Sequence, residues 1–265
     1  MAMLAELNFL RPMAVEPILD ISGSGRTNLK LQTREVEVAD ADAQDPPPSL
    51  ESHGFAAVPF SASLPDASVD VPYRRQFADL CAAAVKAETG APVVIGIQKS
   101  VQVRRSDAGD HQAPIAVCHT DFTPASAVRR IAQLAHPGAG EKLKLPRRFA
   151  AFNAWWLGRP GPQDRPLALC DATSISAPDL RLGRAEVVAE GRRVDYGEMA
   201  FQRYSPRHRW FWYPNLGPDR LLMFCGFDSN PSRPSMVTHS AFANRDCPPD
   251  APPRLSVECR CFAFW

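Results

Sequence analysis

The residues best suited to chemistry are two histidines and one aspartate. His119-Thr120-Asp121 is the one place in the chain where a carboxylate follows a histidine by two positions, and it ends the apolar run Ile115 to Cys118. Side chains two apart in a strand point to the same side, so both could reach one cation. A third ligand must come from elsewhere, and His239, which follows Met236 to Thr238, is the best candidate. These three side chains predict a mononuclear metal site.

The ligand types narrow the choice of metal without settling it. Two histidines and one carboxylate leave three positions open, which suits iron(II) oxygenases because cosubstrate and oxygen need those positions. Zinc with the same ligands, as in hydrolases, is the alternative. Such hydrolases usually need a nearby general base, and the chain has no HExxH motif. In the reading without a metal, His119 is a hydrogen-bonded strand histidine.

A second polar cluster lies near the C-terminus. Arg254 and Ser256 open a long strand, and period-two alternation puts them on one face with Glu258 and Arg260. A planar guanidinium beside a hydroxyl is a fitting receptor for a carboxylate. Chelation of an oxo-acid to the metal would place its far carboxylate here, so we expect Arg254 to anchor it, with Arg260 in reserve. The alternative is that either arginine pairs with Glu258.

The elements that must position these residues are mostly short strands. Proline is abundant, at 26 residues against 15 glycines, which favours a β-rich sandwich or barrel over a helical bundle. The predicted strands are Arg34–Val38, Val93–Ile97, Val101–Arg105, Ile115–His119, Phe149–Trp156, Leu167–Asp171, Ala185–Glu190, Met199–Arg203, Arg209–Tyr213, Leu221–Phe227, Met236–His239 and Leu255–Phe264.

Two helices and a loosely patterned start complete the predicted organisation. Helical spacing over Pro72 to Gly90 predicts one helix with a glycine stop. Thr123 and Pro124 suit the start of a second, with Val128, Ile131 and Leu134 as its buried stripe. We expect residues 1–50 to form an N-terminal extension packed on the core, and residues 51–265 to form the main domain.

Composition limits the partners and the compartment. Lysine plus arginine total 30 and aspartate plus glutamate 29, so nothing predicts nucleic acid or an anionic membrane as partner. Seven scattered cysteines without a CxxC pair indicate reduced thiols and a cytoplasmic protein. A small-molecule substrate is the expected partner, and the sequence leaves the oligomeric state open.

Several ordered blocks resemble the AsaB-like hydroxylase/desaturase family of fungi and bacteria. Together they are far more specific than any single motif. The blocks are Val101–Arg105, His119–Thr123, Phe152–Trp155, Pro166–Ala172, Trp210–Tyr213, Leu221–Ser229, Thr238–Phe242 and Pro253–Trp265. The resemblance runs from roughly residue 35 to the end and is weakest before about residue 90. Two departures fall near the site: Trp156 stands where the family often has arginine, and Phe122 where it has tyrosine.

The resemblance implies a fold, a cofactor set and a reaction class. The fold would be mainly β with flanking helices, on a double-stranded β-helix (jelly-roll, cupin-like) core. Iron(II) would be held by His119, Asp121 and His239, with 2-oxoglutarate on Arg254 and Ser256 and O2 as oxidant. The expected reaction is hydroxylation, desaturation or ring closure of a small secondary metabolite. A non-catalytic accessory protein on the same barrel and a zinc-dependent hydrolase remain as alternatives.

Aromatic and amide side chains are the candidates for the substrate pocket. Asn153 is the best placed because a buried amide needs hydrogen-bond partners. Each aromatic has the alternative of lying in the core, where large rings are common. The candidates are Asn153, Trp155, Trp210 and Phe227, with Trp156 and Trp212 beside them.

Overall fold

The computed structural model describes residues 2–21, 27–63, 70–109, 112–135, 146–189 and 192–265. Within these ranges strands dominate and two α-helices flank them, as the composition and the resemblance predict. The strands are β1 (Met3–Leu10), β2 (Ile18–Asp20), β3 (Leu31–Asp40), β4 (Phe55–Pro59), β5 (Val93–Gly96), β6 (Gln102–Arg105), β7 (His119–Thr120), β8 (Phe149–Leu157), β9 (Leu167–Cys170), β10 (Leu180–Ala189), β11 (Arg192–Gln202), β12 (Trp210–Trp212), β13 (Arg220–Asp228), β14 (His239–Ala241) and β15 (Leu255–Phe264). The helices are α1 (Val71–Thr89) and α2 (Pro124–Ala135).

The strands form two sheets that pack face to face. The larger has the order β1-β3-β12-β9-β14-β7-β11-β10-β2, and the smaller has β4-β13-β8-β15-β5 with β6 also paired to β15. Side chains of both sheets share one buried cluster, in which Leu169 and Phe211 of the larger sheet meet Trp155 and Leu222 of the smaller. This arrangement is a jelly-roll, the double-stranded β-helix that the family resemblance implies.

Helix α1 covers the outer face of the smaller sheet. Asp70 caps its start by accepting a hydrogen bond from the Tyr73 backbone N–H, and Gly90 ends it in the left-handed conformation. Its buried residues include Phe77, Cys81 and Val85. They join a cluster that contains Trp156, so this tryptophan faces the helix. No helix in the described ranges is long and apolar enough to span a membrane.

The second helix matches its predicted start but not its whole predicted stripe. Thr123 accepts a hydrogen bond from the Ser126 backbone N–H at the N-terminus of α2. Ile131 is fully buried, whereas Val128 is 37 % exposed and Ala127 is buried instead. Ile131 and Leu134 therefore pack in the cluster with Phe122 as predicted, and Ala127, four residues before Ile131, takes the place predicted for Val128.

The first 50 residues supply three strands of the larger sheet. The prediction of a short strand at Arg34–Val38 underestimates β3, which pairs with β1 over eight residue pairs and with β12 on its other side. Leu7, Phe9 and Leu10 of β1 are fully buried. A domain boundary at residue 50 stays a prediction.

Two predicted strands near the site are mostly irregular. The structure has β7 only at His119–Thr120, not over Ile115–His119, and β14 begins at His239 instead of ending there. Met236 has a positive φ of 61°, which interrupts the predicted strand before His239. Apolar runs of this length predict burial more reliably than they predict a paired strand.

Gly96 tests the contact between α1 and the smaller sheet. A Cβ at this position would lie 2.2 Å from the Ala78 backbone oxygen of α1. We expect Gly96→Ala to lower the free energy of unfolding by about 1–3 kcal/mol or more, because helix and strand must separate. Urea denaturation measures the change. Gly109→Ala is the matched control, since a Cβ there meets nothing within 4 Å; equal stability losses in the two variants would contradict the prediction.

Candidate metal and cosubstrate site

The three predicted metal ligands converge in the structure. One ligand atom from each of His119, Asp121 and His239 lies within 4.8 Å of the others. The Nε2 atom of each histidine is 3.9 Å from an Asp121 carboxylate oxygen, Oδ1 for His119 and Oδ2 for His239. Both imidazoles are buried. Two histidines far apart in the chain therefore meet at one point between the sheets.

Strand pairing explains how the histidines come together. His119 of β7 is the direct antiparallel partner of His239 of β14, so both side chains project from the same face of the larger sheet. Their ring centroids are 4.3 Å apart. Asp121 comes directly after β7, where the chain leaves the sheet and turns toward α2.

A buried polar chain supports the opposite face of the ligand strands. Thr238 Oγ1 donates to Gln202 Oε1 at 2.6 Å, and the Gln202 amide nitrogen lies 3.2 Å from His208 Nδ1. Gln202 and Thr238 are both fully buried. These hydrogen bonds tie Thr238, the residue before His239, to Gln202 of β11, and β11 pairs with β7.

The protonation states fit a divalent cation. Burial and the nearby His119 lower the pKa of His239 to about 3, so its imidazole is neutral at neutral pH and keeps a lone pair. Burial opposes ionisation of Asp121, but Arg260 and the two histidines hold the pKa of this carboxyl well below its usual value. His119 Nδ1 lies 2.7 Å from the Val117 carbonyl oxygen, to which it can donate, leaving Nε2 as the lone-pair atom. Two imidazoles and one carboxylate are a donor set for iron(II).

Residues of the smaller sheet hold the Asp121 carboxylate from both sides. The Asn153 side-chain amide donates to Oδ2, and Arg260 Nη2 donates to Oδ1 at 3.0 Å. Asn153 of β8 is the register partner of both Arg260 in β15 and Phe224 in β13. These three side chains therefore form one row across the sheet beneath the triad, where the Phe224 ring also packs on His239 at 4.6 Å.

The predicted carboxylate receptor lies in the same cavity. Arg254 is 3 % exposed, and its Nε and Nη2 atoms donate to Ser256 Oγ at 3.2 and 3.1 Å. Nη1 donates to the Arg165 carbonyl at 2.7 Å, and the guanidinium lies 4.8 Å from the Trp155 ring centroid. Burial lowers the pKa of Arg254 to about 9, which still leaves it charged at neutral pH. Neither Arg254 nor Arg260 makes the close pair with Glu258; Arg104 does, at 3.6 Å.

Other side chains complete a cavity with one polar and one apolar wall. The polar wall belongs to β6 and β15, where Arg104 is the register partner of Ser256 and Gln102 that of Glu258. Arg105 points away and pairs with Asp107 at the surface. The apolar wall is formed by Leu19, Ile21, Ile115, Leu167, Ala185, Met199, Phe224 and Ala241.

The structure separates the predicted pocket residues into two groups. Asn153 contacts Asp121, and Trp155 lines the cavity beneath Arg254. Trp210 lies instead in the core against Phe9, and Phe227 packs on Phe149, and neither is among the described residues that line this cavity. Trp156 and Trp212 also lie outside this cavity, in two separate hydrophobic clusters. Alternation places neighbouring residues on opposite faces, and the sequence could not tell which face of each strand turned inward.

Sequence reasoning missed several residues that line the cavity. Phe224 and Met199 lie on predicted strands, and cross-strand register alone would have found Phe224 opposite Asn153. Leu19 and Ile21 come from an N-terminal segment that carried no recognisable signal. Their position depends on the parallel pairing of β2 with β10, a contact between residues far apart in the chain.

A jelly-roll with two histidines and one carboxylate in a cavity between its sheets is typical of non-haem iron(II) oxygenases. Comparison with known proteins agrees with this class. Residues 7–264 match the family described as "Oxidoreductase/YMDC permease-like domain". The chain is 29 % identical to the hydroxylase/desaturase efuI of Hormonema carpetanum, covering 98 % of this chain and 94 % of the relative. It is 30 % identical to the Fe(II)/2-oxoglutarate-dependent dioxygenase nvfI of Aspergillus novofumigatus, covering 91 % and 87 %.

A solved structure agrees with the same class of protein. A variant of the iron and alpha-ketoglutarate-dependent endoperoxidase NvfI superposes with a TM-score of 0.81 at 25 % identity, over 100 % of this chain and 97 % of that one. The chain belongs to the hydroxylase/desaturase family of Fe(II)/2-oxoglutarate-dependent dioxygenases. The family resemblance read from the sequence is confirmed, together with the cofactors iron(II), 2-oxoglutarate and O2.

Substitution of Ser256 tests how much its hydrogen bonds stabilise the buried Arg254 guanidinium. Ser256→Ala removes the acceptor of two hydrogen bonds from Arg254. We expect it to lower the free energy of unfolding by about 1.5–3 kcal/mol, because a buried charged donor loses its partner. Urea denaturation measures the loss. Ser106→Ala is the control at the end of the neighbouring strand, since the buried Ser106 hydroxyl has no hydrogen-bond partner in the described structure. Equal stability of the two variants would contradict the interpretation.

Proposed function

We propose that His119, Asp121 and His239 hold the catalytic iron(II), and that Arg254 with Ser256 binds the far carboxylate of 2-oxoglutarate. The observation that carries this proposal is the convergence of the three ligand atoms within 4.8 Å, in a cavity that Arg254 also lines. A buried cation with a fixed hydroxyl partner suits a carboxylate that has left water. The names of the relatives support the same assignment.

The chain's own residues would position and shield the reactants. When bound, iron(II) with 2-oxoglutarate and O2 supplies the oxidising power for attack on an unactivated C–H bond. Arg254 would orient the cosubstrate, with Trp155 fixing the plane of its guanidinium. Asn153 and Arg260 would orient the ligand carboxylate of Asp121. Phe224, Ile115 and Met199 would keep bulk water from the reacting carbon.

The substrate we propose is a small secondary metabolite with a largely apolar skeleton. Apart from the proposed metal ligands and Glu198, the side chains that line the cavity outside the charged face are aliphatic or aromatic, which favours such a molecule over a polar one. One relative is named a hydroxylase/desaturase and another an endoperoxidase, so the same site chemistry serves more than one outcome. A cytoplasmic location, and the absence of nucleic-acid and membrane partners, stay predictions.

Binding of Mn²⁺ tests the three proposed metal ligands without requiring catalytic turnover. We expect His119→Ala, Asp121→Ala and His239→Ala each to weaken Mn²⁺ binding by at least about a hundredfold, since each removes one of three protein ligands. Electron paramagnetic resonance of free Mn²⁺ measures the affinity. His53→Ala is the matched control, because His53 lies outside the site and interacts with Asp171. Unchanged Mn²⁺ binding in a folded His239→Ala variant would overturn the assignment.

Binding of 2-oxoglutarate tests the anchor. We expect Arg254→Gln to weaken binding of 2-oxoglutarate to the Mn²⁺-loaded enzyme by roughly thirtyfold, because a charge-assisted contact is lost. Isothermal titration calorimetry measures this affinity, and iron-dependent succinate release from 2-oxoglutarate should fall with it. Arg104→Gln is the comparison variant in the same cavity. A larger loss in Arg104→Gln than in Arg254→Gln would move the anchor from β15 to β6.

A further inference from the structure

Arg260 lies against the carboxylate of Asp121, a proposed metal ligand, and contacts two groups there. Its Nη2 atom is 3.0 Å from Asp121 Oδ1, and its guanidinium carbon lies 5.6 Å from the centroid of the Phe122 ring. Phe122 in turn packs edge-on against Phe262 of the same strand as Arg260. Side-chain exposure is 22 % for Arg260 and 12 % for Asp121, so this ion pair is only weakly screened by water.

The other carboxylate oxygen has a neutral partner. Asn153 donates to Asp121 Oδ2 from the position directly across the sheet from Arg260. The amide can orient the carboxylate without changing the charge of the site. Arg260 adds a full positive charge beside the metal position, which orientation alone does not require.

That charge affects the empty, metal-loaded and fully loaded states differently. Asp121 and Arg260 together carry no net charge, so a divalent cation alone raises the charge of this group to two positive charges. A chelated dianion such as 2-oxoglutarate then returns it to zero. Without Arg260 the same three states carry one negative, one positive and one negative charge. The guanidinium therefore opposes binding of the metal alone, whereas its repulsion of the metal is offset by its attraction to the dianion once the metal holds the chelating end of that dianion beside it.

We propose that Arg260 couples metal binding to cosubstrate binding, so that the enzyme retains iron(II) firmly only when 2-oxoglutarate is bound with it. The proposal rests on the proposed function, since it needs a metal on the triad and a dianion chelated to it. The other described charges that line the cavity, Arg104, Arg254, Glu198 and Glu258, are unchanged between the wild type and the Arg260 variants, so they do not produce a difference between them. By linkage, the metal must strengthen 2-oxoglutarate binding by the same factor.

The test is the coupling factor, the ratio of the Mn²⁺ dissociation constants without and with saturating 2-oxoglutarate. Electron paramagnetic resonance titration gives both constants for the wild-type enzyme, Arg260→Gln and Arg260→Lys. We expect the factor to fall by roughly tenfold or more in Arg260→Gln and to be largely retained in Arg260→Lys, which keeps the charge. Mn²⁺ alone should bind Arg260→Gln as tightly as the wild type or more tightly.

A merely structural role gives a different result. If Arg260 only orients Asp121, Arg260→Gln should weaken Mn²⁺ equally with and without 2-oxoglutarate, leaving the factor unchanged, and this would overturn the proposal. Loss of the factor in Arg260→Lys as well would also overturn it, because the charge is then not the cause. Arg148→Gln is the matched control: it breaks a two-fold hydrogen-bonded pair with Asp228 outside the cavity and should keep the wild-type factor.

The two proposals fail in distinguishable ways. Absence of Mn²⁺ binding to the wild-type enzyme in both conditions would count against the proposed function. Wild-type binding that 2-oxoglutarate strengthens, with the same factor in Arg260→Gln, would count against the role of Arg260 alone. Thermal unfolding of each variant checks that the sheet remains folded, and Asn153→Ala adds a neutral comparison that should change affinity but not the coupling factor.

Discussion

The site depends on one antiparallel contact, the pairing of His119 with His239 in the larger sheet. Both strands are very short, two residues in β7 and three in β14, so they have little pairing energy of their own. They are held between longer neighbours, with β11 on one side and β9 on the other. Shifting either strand by one residue would turn its histidine to the other face of the sheet. The buried Thr238–Gln202 hydrogen bond opposes such a shift on the far side.

Burial of charge is the second constraint, and the smaller sheet meets it with a two-residue repeat. Arg254, directly before β15, and Ser256, Glu258 and Arg260 within it alternate with apolar residues, so the charged groups face the cavity and the apolar residues between them pack in the core. Each described charge on this face has an opposite charge or a hydrogen-bond acceptor within reach: Ser256 for Arg254, Arg104 for Glu258, and Asp121 for Arg260. A buried charge without such a partner would be strongly destabilising.

The sequence predicts the chemical groups of the site better than it predicts the cavity walls around them. The triad and the Arg254–Ser256 face follow from alternation and from the order of the motifs, which are local properties. The cavity walls depend on the register between strands that are distant in the chain, as with Phe224 opposite Asn153. They also depend on which face of each strand turns toward the cavity. The run Phe149 to Leu157 does not reveal its inner face, because all nine residues are buried. The same uncertainty explains why the sequence did not separate Trp210 and Phe227, which do not line the described cavity, from Trp155, which does. In the structure Arg104 lines the cavity and Arg105 lies at the surface, whereas the sequence could not show which of the two faces inward.

The origin of the two cavity walls suggests how one chemistry could serve different substrates. The metal ligands and the charged wall come from residues 102 to 260, in segments that resemble the family closely. Leu19 and Ile21 of the apolar wall come instead from a segment that precedes the matching blocks of the sequence. These residues belong to or follow β2, a three-residue edge strand whose only sheet partner in the described structure is β10. A change in this segment could therefore reshape the apolar wall without displacing the iron ligands, because no metal-binding strand pairs with β2.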